Sequence, residues 1–159
     1  MVSTKLVGKF FAPRRKKIEL YNTHAEALQE QVFRKLIKNA AHTEWGTKYD
    51  YAHIQSYTDF QRVPIQTYED IKGDVDRMRH GEKDILWPGQ VKWYAKSSGT
   101  TNDKSKFIPV SPDGLKNIHY MGGKDAVALY LGINPESKFF SGKGLILGGS
   151  HSPNYNLKD

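Results

Sequence analysis

Apolar residues recur every three or four positions between residues 21 and 40, and this spacing predicts an amphipathic helix. The stripe consists of Tyr21, Ala25, Leu28, Val32, Leu36 and Ala40, and it is widened by Phe33 and Ile37. Charged and polar residues occupy the opposite face of the helix. Because an apolar stripe must be buried against another surface, this helix belongs to a larger folded body.

Two shorter helices are predicted after it, each from a signal in its first turn. Ser56 followed by Asp59 resembles a capping box. A second helix begins after Thr67 and stops near Gly81. Its apolar side is formed by Tyr68, Ile71, Val75 and Met78, and its last turn holds Arg77, Arg79 and His80, where the helix dipole favours positive charge.

The character of the sequence changes after residue 86. Residues 91–95 (VKWYA) and 107–110 (FIPV) are predicted to be short strands, and the proline in the second indicates a strand edge. A Ser-Pro-Asp start at Ser111 predicts a helix that continues to Tyr130. Residues 144–147 (GLIL) predict a buried strand. Helices and strands together indicate a mixed α/β fold.

The net charge of +7 lies almost entirely in the first 17 residues. They hold six of the 24 basic residues and no acid, so 18 basic and 17 acidic residues remain in the rest of the chain. The chain therefore divides into a basic N-terminal tail, residues 1–17, and a nearly neutral body, residues 18–159. Such a tail is expected to be a solvated lead-in, with binding to an acidic lipid or RNA surface as the alternative.

Two further features exclude classes of protein. No apolar run approaches the roughly 20 residues that a membrane-spanning helix needs, so no membrane span is predicted. The chain has no cysteine, which excludes disulfides, thiolate zinc sites and a cysteine nucleophile.

The most informative segment is the loop of residues 97–106 (SSGTTNDKSK), between the two predicted strands. Gly99 lets backbone N–H groups approach phosphate oxygens, the hydroxyl groups can donate hydrogen bonds, and the lysines neutralise charge. The spacing is neither that of a Walker loop nor that of a dinucleotide fingerprint. The residues alone leave two interpretations open, a phosphate-binding loop and an ordinary polar turn.

The six histidines show no metal-binding spacing, and no metal site is predicted from them. His119, on the helix that follows the loop, and His151, after a Gly-Gly-Ser turn, are possible substrate-pocket residues. The alternatives are a packed or exposed histidine at residue 119 and an ordinary turn at residue 151.

Residues 97–101 followed by Lys106 resemble the phosphate-binding signature of the acyl-adenylate-forming superfamily. The surrounding sequence is more closely similar to the Gretchen Hagen auxin-responsive family of acyl-acid amido synthetases, in its bacterial branch. The motifs that carry this resemblance are residues 43–46 (TEWG), 63–65 (VPI), 68–71 (YEDI), 86–89 (LWPG), 93–101 (WYAKSSGTT), 104–110 (KSKFIPV) and 122–125 (GGKD).

The resemblance implies a ligase that works in two steps. A carboxylic acid attacks the α-phosphate of ATP, bound with Mg²⁺, to give an acyl-adenylate and pyrophosphate, and an amine, typically of an amino acid, then displaces AMP. The same resemblance implies a role for each residue of the loop. Hydrogen bonds to the β- and γ-phosphates would be donated by Ser97, Ser98, Thr100 and Thr101. Gly99 would let the backbone approach the phosphates closely, and Lys106 would supply positive charge. The resemblance identifies neither a catalytic residue nor a Mg²⁺ ligand within this chain.

The resemblance also implies that the chain is the incomplete N-terminal part of the large domain of an adenylate-forming enzyme. The later motifs that hold adenine, ribose and Mg²⁺ and that form the C-terminal lid have no counterpart here. We therefore expect the remaining C-terminal part to be its partner, the chain to be inactive alone, and its location to be cytoplasmic. Asn102 and Asp103 stand where the superfamily generally has glycine, and both tolerate left-handed turn geometry.

Two other functions stay open as alternatives, a basic nucleic-acid-binding module and a non-catalytic interaction protein. Because the excess charge lies in the tail, the body gives no reason to expect a specific nucleic-acid partner. The acid and the amine are not assigned, since the pocket walls that select them belong to later segments of such enzymes.

Overall fold

The computed structural model of the chain describes residues 4–97, 105–143 and 145. In chain order its elements are α1 (Thr4–Thr23), α2 (Ala25–Ala40), α3 (Glu44–Lys48), a 3₁₀ turn (Tyr51–His53), α4 (Tyr57–Phe60), α5 (Tyr68–Arg79), β1 (Trp93–Lys96), β2 (Phe107–Val110), α6 (Pro112–Gly114), a π-helical segment (Leu115–Tyr120) and α7 (Met121–Ile133). These elements confirm the mixed, incomplete α/β fold. Except for Leu145, the strand predicted at residues 144–147 lies outside the described residues.

The chain divides into two compact units. The larger is Ala25–Ile118, and the smaller combines Met1–His24 with His119–Asp159. The helix predicted from the apolar stripe over residues 21–40 is interrupted at His24, between the end of α1 and the start of α2.

Two apolar clusters form the core of the larger unit. The first contains Ile37, Ala40, Tyr51 and Ile54, and the second contains Met78, Ile85 and Val91. Trp87 packs against both clusters and joins them. On α2 the packed side is the one that carries Phe33 and Ile37, whereas the predicted stripe residues Val32 and Leu36 remain exposed.

The short helices begin where the capping signals predict. The carboxylate of Asp59 accepts the backbone N–H of Ser56, whose hydroxyl oxygen accepts the N–H of Asp59 in return. At the start of α5 the carboxylate of Asp70 accepts both the N–H and the hydroxyl of Thr67. The Ser56 hydroxyl also donates to the Asp59 carboxylate at 2.8 Å, and the hydroxyl and backbone donors together lower the pKa of both carboxyl groups. Gly81 has a φ of 96°, the left-handed geometry expected just after the end of α5.

A close contact fixes the turn between α2 and α3. The buried hydroxyl of Thr43 donates to the carbonyl oxygen of Ala40 at 2.7 Å and accepts the N–H of Gly46 at 2.9 Å. Gly46 lies so near Ala40 that a Cβ atom there would overlap the carbonyl of Ala40. Glycine is therefore required at residue 46 by space rather than by its backbone angles.

Arg77 connects α5 to α3 through a fork of hydrogen bonds. Its Nη1 and Nη2 atoms donate to the two carboxylate oxygens of Glu44 at 2.8 and 2.7 Å, and its Nε atom donates to Glu82 at 2.9 Å. The arrangement raises the pKa of Arg77 and lowers the pKa of Glu44. Because these carboxylates occupy the guanidinium, Arg77 is a structural residue.

The smaller unit is held together by α1 and α7. Arg14 of α1 makes a two-pronged hydrogen bond to Asp125 of α7, from Nε at 2.5 Å and from Nη2 at 2.7 Å. Both side chains are mostly buried, and the bond lowers the pKa of Asp125. The expectation of a solvated lead-in was therefore wrong for this segment, because residues 4–17 belong to a helix that packs on α7. Among the described residues, no helix combines the length and apolarity that crossing a membrane requires.

Gly46→Ala is expected to lower the free energy of unfolding of the larger unit by about 2–3 kcal/mol, because backbone atoms of Ala40 cannot turn aside. Gly73→Ala in α5 is the matched control, since a Cβ there meets no atom within 4 Å. Its higher helix propensity should add up to about 1 kcal/mol. Urea unfolding of both variants measures the difference, and equal effects would contradict the close-contact explanation.

Asp125→Asn is expected to weaken the packing of α1 on α7 by about 1–2 kcal/mol, through loss of a charge-assisted pair. Because the pair lowers the pKa of Asp125, its contribution is complete above the unfolded pKa of about 3.9 and disappears as pH falls through the lower folded value. Amide hydrogen exchange of α1 in a titration from neutral to acidic pH should therefore show a steeper loss of protection in the unmodified protein than in Asp125→Asn. Glu136→Gln is the control, since its pair with Lys5 is exposed and should contribute little.

Candidate functional site

Residues 97–106 are flanked by two strands, as predicted. β1 and β2 pair antiparallel, with Trp93 opposite Val110 and Lys96 opposite Phe107. β1 begins at Trp93, two residues later than predicted. The two strands bring together Ser97 and Lys106, the described residues at the two ends of this segment.

Ser97 and Lys106 face each other at the base of this loop. The N–H of Ser97 donates to the carbonyl oxygen of Lys106 at 2.9 Å, and the N–H of Lys106 donates to the Ser97 hydroxyl oxygen at 3.0 Å. The Ser97 hydroxyl keeps its own hydrogen for another acceptor, because it accepts in this bond. The structure thus brings together the first and last residues of the predicted phosphate site.

Most of the other predicted site residues lie outside the part of the chain that the structure describes. Ser98, Gly99, Thr100 and Thr101 lie outside the described residues, and so does His151. His119 lies in the π-helical segment, where its exposed ring is 5.3 Å from the ring of Tyr120. Its place in a substrate pocket stays a prediction.

Tyr68, at the start of α5, holds the loop base in two ways. Its hydroxyl oxygen accepts the N–H of Phe107 at 3.1 Å, and its ring centre lies 5.3 Å from the Lys106 ammonium. The first contact fixes β2 next to the loop, and the second is a cation–π contact that restrains the Lys106 side chain.

Two further cations surround Phe107. The guanidinium carbon of Arg79 lies 3.7 Å from the centre of the Phe107 ring, and the Lys96 ammonium lies 5.7 Å from it. Arg79 is mostly buried and pairs with Asp76 at 3.2 Å. In the part of the chain that the structure describes, neither Lys96 nor Lys106 forms an ion pair, so their charges are available to an anion.

The chemistry that this arrangement permits is binding of a multiply charged anion. It offers a hydroxyl donor, Ser97, and two ammonium groups, each of which lies over an aromatic ring. Tyr94 of β1 packs against the second apolar cluster, where burial raises its pKa and its hydroxyl donates to the Val91 carbonyl at 3.2 Å. Among the described residues no group of three or more histidine, aspartate or glutamate side chains could hold a metal ion.

Sequence reasoning missed Tyr68 and Arg79 as residues of this site. Their positions suggested an apolar helix face for the first and a favourable helix-dipole position for the second. Both roles are local, whereas the partner of each side chain is Phe107, which follows Tyr68 by 39 positions. A signal existed for Tyr68 alone, since it is the tyrosine within residues 68–71, one of the motifs that carry the resemblance.

Comparison with known proteins gives a consistent assignment. A sequence model described as the GH3 family N-terminal domain matches residues 14–156. Indole-3-acetic acid-amido synthetase GH3.15 of Arabidopsis thaliana is 28% identical over 130 residues, which cover 81% of this chain and 21% of the relative. Indole-3-acetic acid-amido synthetase GH3.17 of the same plant is 30% identical over 108 residues, covering 64% and 17%.

A rice relative shows the same partial coverage. Indole-3-acetic acid-amido synthetase GH3.8 of Oryza sativa subsp. indica is 29% identical over 100 residues, covering 62% of this chain and 16% of the relative. The chain therefore spans about a fifth of the length of the curated relatives it matches. No solved structure matches it significantly.

Tyr68→Phe is expected to destabilise the loop base by about 1 kcal/mol, because the N–H of Phe107 loses its acceptor while the aromatic ring is kept. Amide hydrogen exchange at Phe107 should become about fivefold faster, which is the same free energy expressed as a rate. Tyr57→Phe is the matched control, since Tyr57 is 66% exposed. Unchanged exchange at Phe107 in Tyr68→Phe would show that this hydrogen bond does not hold β2.

Proposed function

The chain belongs to the GH3 family of auxin-responsive proteins, and on that premise we propose that it is the N-terminal part of an ATP-dependent acyl-acid amido synthetase. The relatives are named as indole-3-acetic acid-amido synthetases, which supports a carboxylic acid and an amine as substrates of the whole protein. The amine of an amino acid is the expected acceptor. Membership of the bacterial branch stays a prediction.

The observation that carries this proposal is the pairing of Ser97 with Lys106 between β1 and β2. Neither Lys106 nor Lys96 has an ion-pair partner among the described residues. Negative charge accumulates on pyrophosphate as it leaves the α-phosphate of ATP, so a site for this step needs fixed donors and positive charge. The loop base supplies one hydroxyl and two ammonium groups in a restrained geometry. Indole-3-acetic acid is a substrate of the named relatives, and the acid used by this protein is a separate question.

The roles proposed for the chain's own residues follow from these contacts. Lys106 neutralises the β- and γ-phosphates, and Tyr68 limits the directions in which its ammonium can point. Ser97 donates its hydroxyl hydrogen to a phosphate oxygen while its oxygen continues to accept from Lys106. The remaining proposed phosphate contacts are Ser98, Gly99, Thr100 and Thr101, which lie outside the described residues.

Mg²⁺ is part of the proposal only as the companion of ATP. It would shield the phosphate charge, and we assign no ligand for it among the described residues, which include no suitable cluster. His119 and His151 remain candidates for the acid-binding pocket. A cytoplasmic location belongs to the same proposal, because the reaction draws on the cellular pool of ATP.

We further propose that the chain does not catalyse the complete reaction alone. The coverage of about a fifth of each relative supports this, since the rest of the relatives' length has no counterpart here. A reading frame that continues for several hundred residues beyond codon 159, with the adenine-binding and lid motifs, is the simplest observation that tests it.

The 159-residue chain is expected to bind inorganic triphosphate and to give no ATP–pyrophosphate exchange. Lys106→Ala should weaken triphosphate binding, measured by calorimetry, by at least about tenfold, as expected for loss of a charge-assisted contact. Lys83→Ala is the matched control, since Lys83 is exposed in the same unit and makes none of the contacts described between Ser97, Lys106, Tyr68 and Phe107. Equal affinities of the two variants would contradict the role given to Lys106.

The ATP–pyrophosphate exchange assay tests the proposed inactivity of this chain separately from its proposed phosphate binding. Robust exchange by this chain that is lost in Ser98→Ala would overturn the proposed inactivity while supporting the phosphate site. Absence of triphosphate binding, in a chain whose circular dichroism spectrum shows the expected helices, would overturn the phosphate site itself.

A further inference from the structure

The outward face of α1 combines positive charge with large apolar side chains. Rotation of about 100° per residue places seven exposed residues within about a third of the helix circumference. They are Leu6, Lys9, Phe10, Pro13, Lys16, Lys17 and Leu20, and we refer to them as the α1 outer face. Phe10 is 79% exposed and Leu6 is 66% exposed, so neither is part of the packed interior.

The charges on the α1 outer face differ from the other charges of this helix. Arg14 is bound to Asp125, and Arg15 lies beside Gly132 and within 3.9 Å of Glu19. Lys9, Lys16 and Lys17, in contrast, form no ion pair with any residue that the structure describes. Glu19 is the sole acid within the sequence of α1. The α1 outer face is therefore cationic without internal compensation.

We propose that the α1 outer face docks on an anionic lipid surface, with α1 lying in the plane of the interface. Leu6 and Phe10 would enter the boundary between headgroups and acyl chains, and the lysines would contact the anionic headgroups. Interfacial helices are rich in lysine, phenylalanine and leucine, usually on opposite faces. On α1 the two kinds of side chain share one face, so the proposal requires the long lysine stems to reach the headgroups beside the inserted apolar side chains. Association is at the surface, and its strength depends on charge and on buried apolar area together.

Two observations favour a lipid surface over a nucleic acid or another part of the protein. A nucleic-acid backbone satisfies lysines but offers nothing apolar to Leu6 and Phe10, whereas a lipid interface satisfies both kinds of side chain. In addition, Leu6, Lys9 and Phe10 precede residue 14, where the match to the family domain begins. Another part of the family's proteins that packs on α1 would therefore explain the exposed side chains of residues 6–10 less well than a lipid surface does.

The test is sedimentation of the 159-residue chain with vesicles of phosphatidylcholine alone and of phosphatidylcholine containing about one quarter phosphatidylserine. The chain should bind only the vesicles that contain phosphatidylserine, and high salt should weaken the binding. The double substitution Lys16→Gln with Lys17→Gln should weaken it by about thirtyfold, at about fivefold per lysine. The matched control is Lys83→Gln with Lys92→Gln, which removes the same charge from exposed positions of the larger unit and should have little effect.

Phe10→Ser tests the apolar half of the proposal. Its affinity for the anionic vesicles should fall by about tenfold, because insertion of the ring is lost. The side chain is exposed, so circular dichroism of the variant should be unchanged.

Three results would overturn the proposal. The first is absence of binding, or equal binding to both kinds of vesicle. The second is salt-sensitive binding to RNA that Phe10→Ser leaves intact while vesicles are not bound, which would identify a nucleic-acid surface. The third is that the chain does not bind vesicles but self-associates, and that Phe10→Ser abolishes the self-association. This result would identify a contact between copies of the chain. None of these measurements involves ATP, so their outcome is separate from that of the proposed ligase function.

Discussion

The carbonyl oxygen of Ala40 is the point on which the larger unit depends. It ends α2, accepts the N–H and the hydroxyl of Thr43, and leaves room only for glycine at residue 46. A buried carbonyl without a partner would cost a few kcal/mol, so this turn has one arrangement rather than several. Because Gly46 can approach so closely, α3 starts directly against the end of α2.

The position of α3 determines where the segment after α5 lies. The N–H groups of Glu44 and Trp45 donate to the carbonyl oxygens of Asp84 and Ile85, which brings this segment beside α3. Ile85 then enters the second apolar cluster together with Met78 of α5. Since α5 also carries Tyr68 and Arg79, the hairpin that presents Ser97 and Lys106 is fixed by contacts that trace back to the turn at Ala40.

The sequence predicted the parts of this arrangement that are set by neighbouring residues. Capping at Ser56 and Thr67 acts over three residues, and the strands beside the loop follow from short apolar runs, so all of these were found. The helical state of residues 4–17 was missed, because Arg14 finds its partner 111 positions away. Tyr68 was missed for the same reason, and the exposed Val32 and Leu36 show that periodicity locates a helix more surely than its buried side.

The positive charges of the chain differ in what surrounds them, and this difference separates their roles. Arg14 and Arg77 are each bound by carboxylates in a fork, so their charge is used within the fold. Lys106 has no such carboxylate among the described residues, but an aromatic ring restrains it, which suits an anion that must be held in one geometry. The lysines of the α1 outer face have no ion-pair partner among the described residues and stand beside exposed apolar side chains, which suits a fluid, extended surface. Net charge alone therefore misrepresents this chain, because charges of one sign have different neighbours: those of Arg14 and Arg77 serve folding, whereas phosphate binding and surface attachment are the roles we propose for the others.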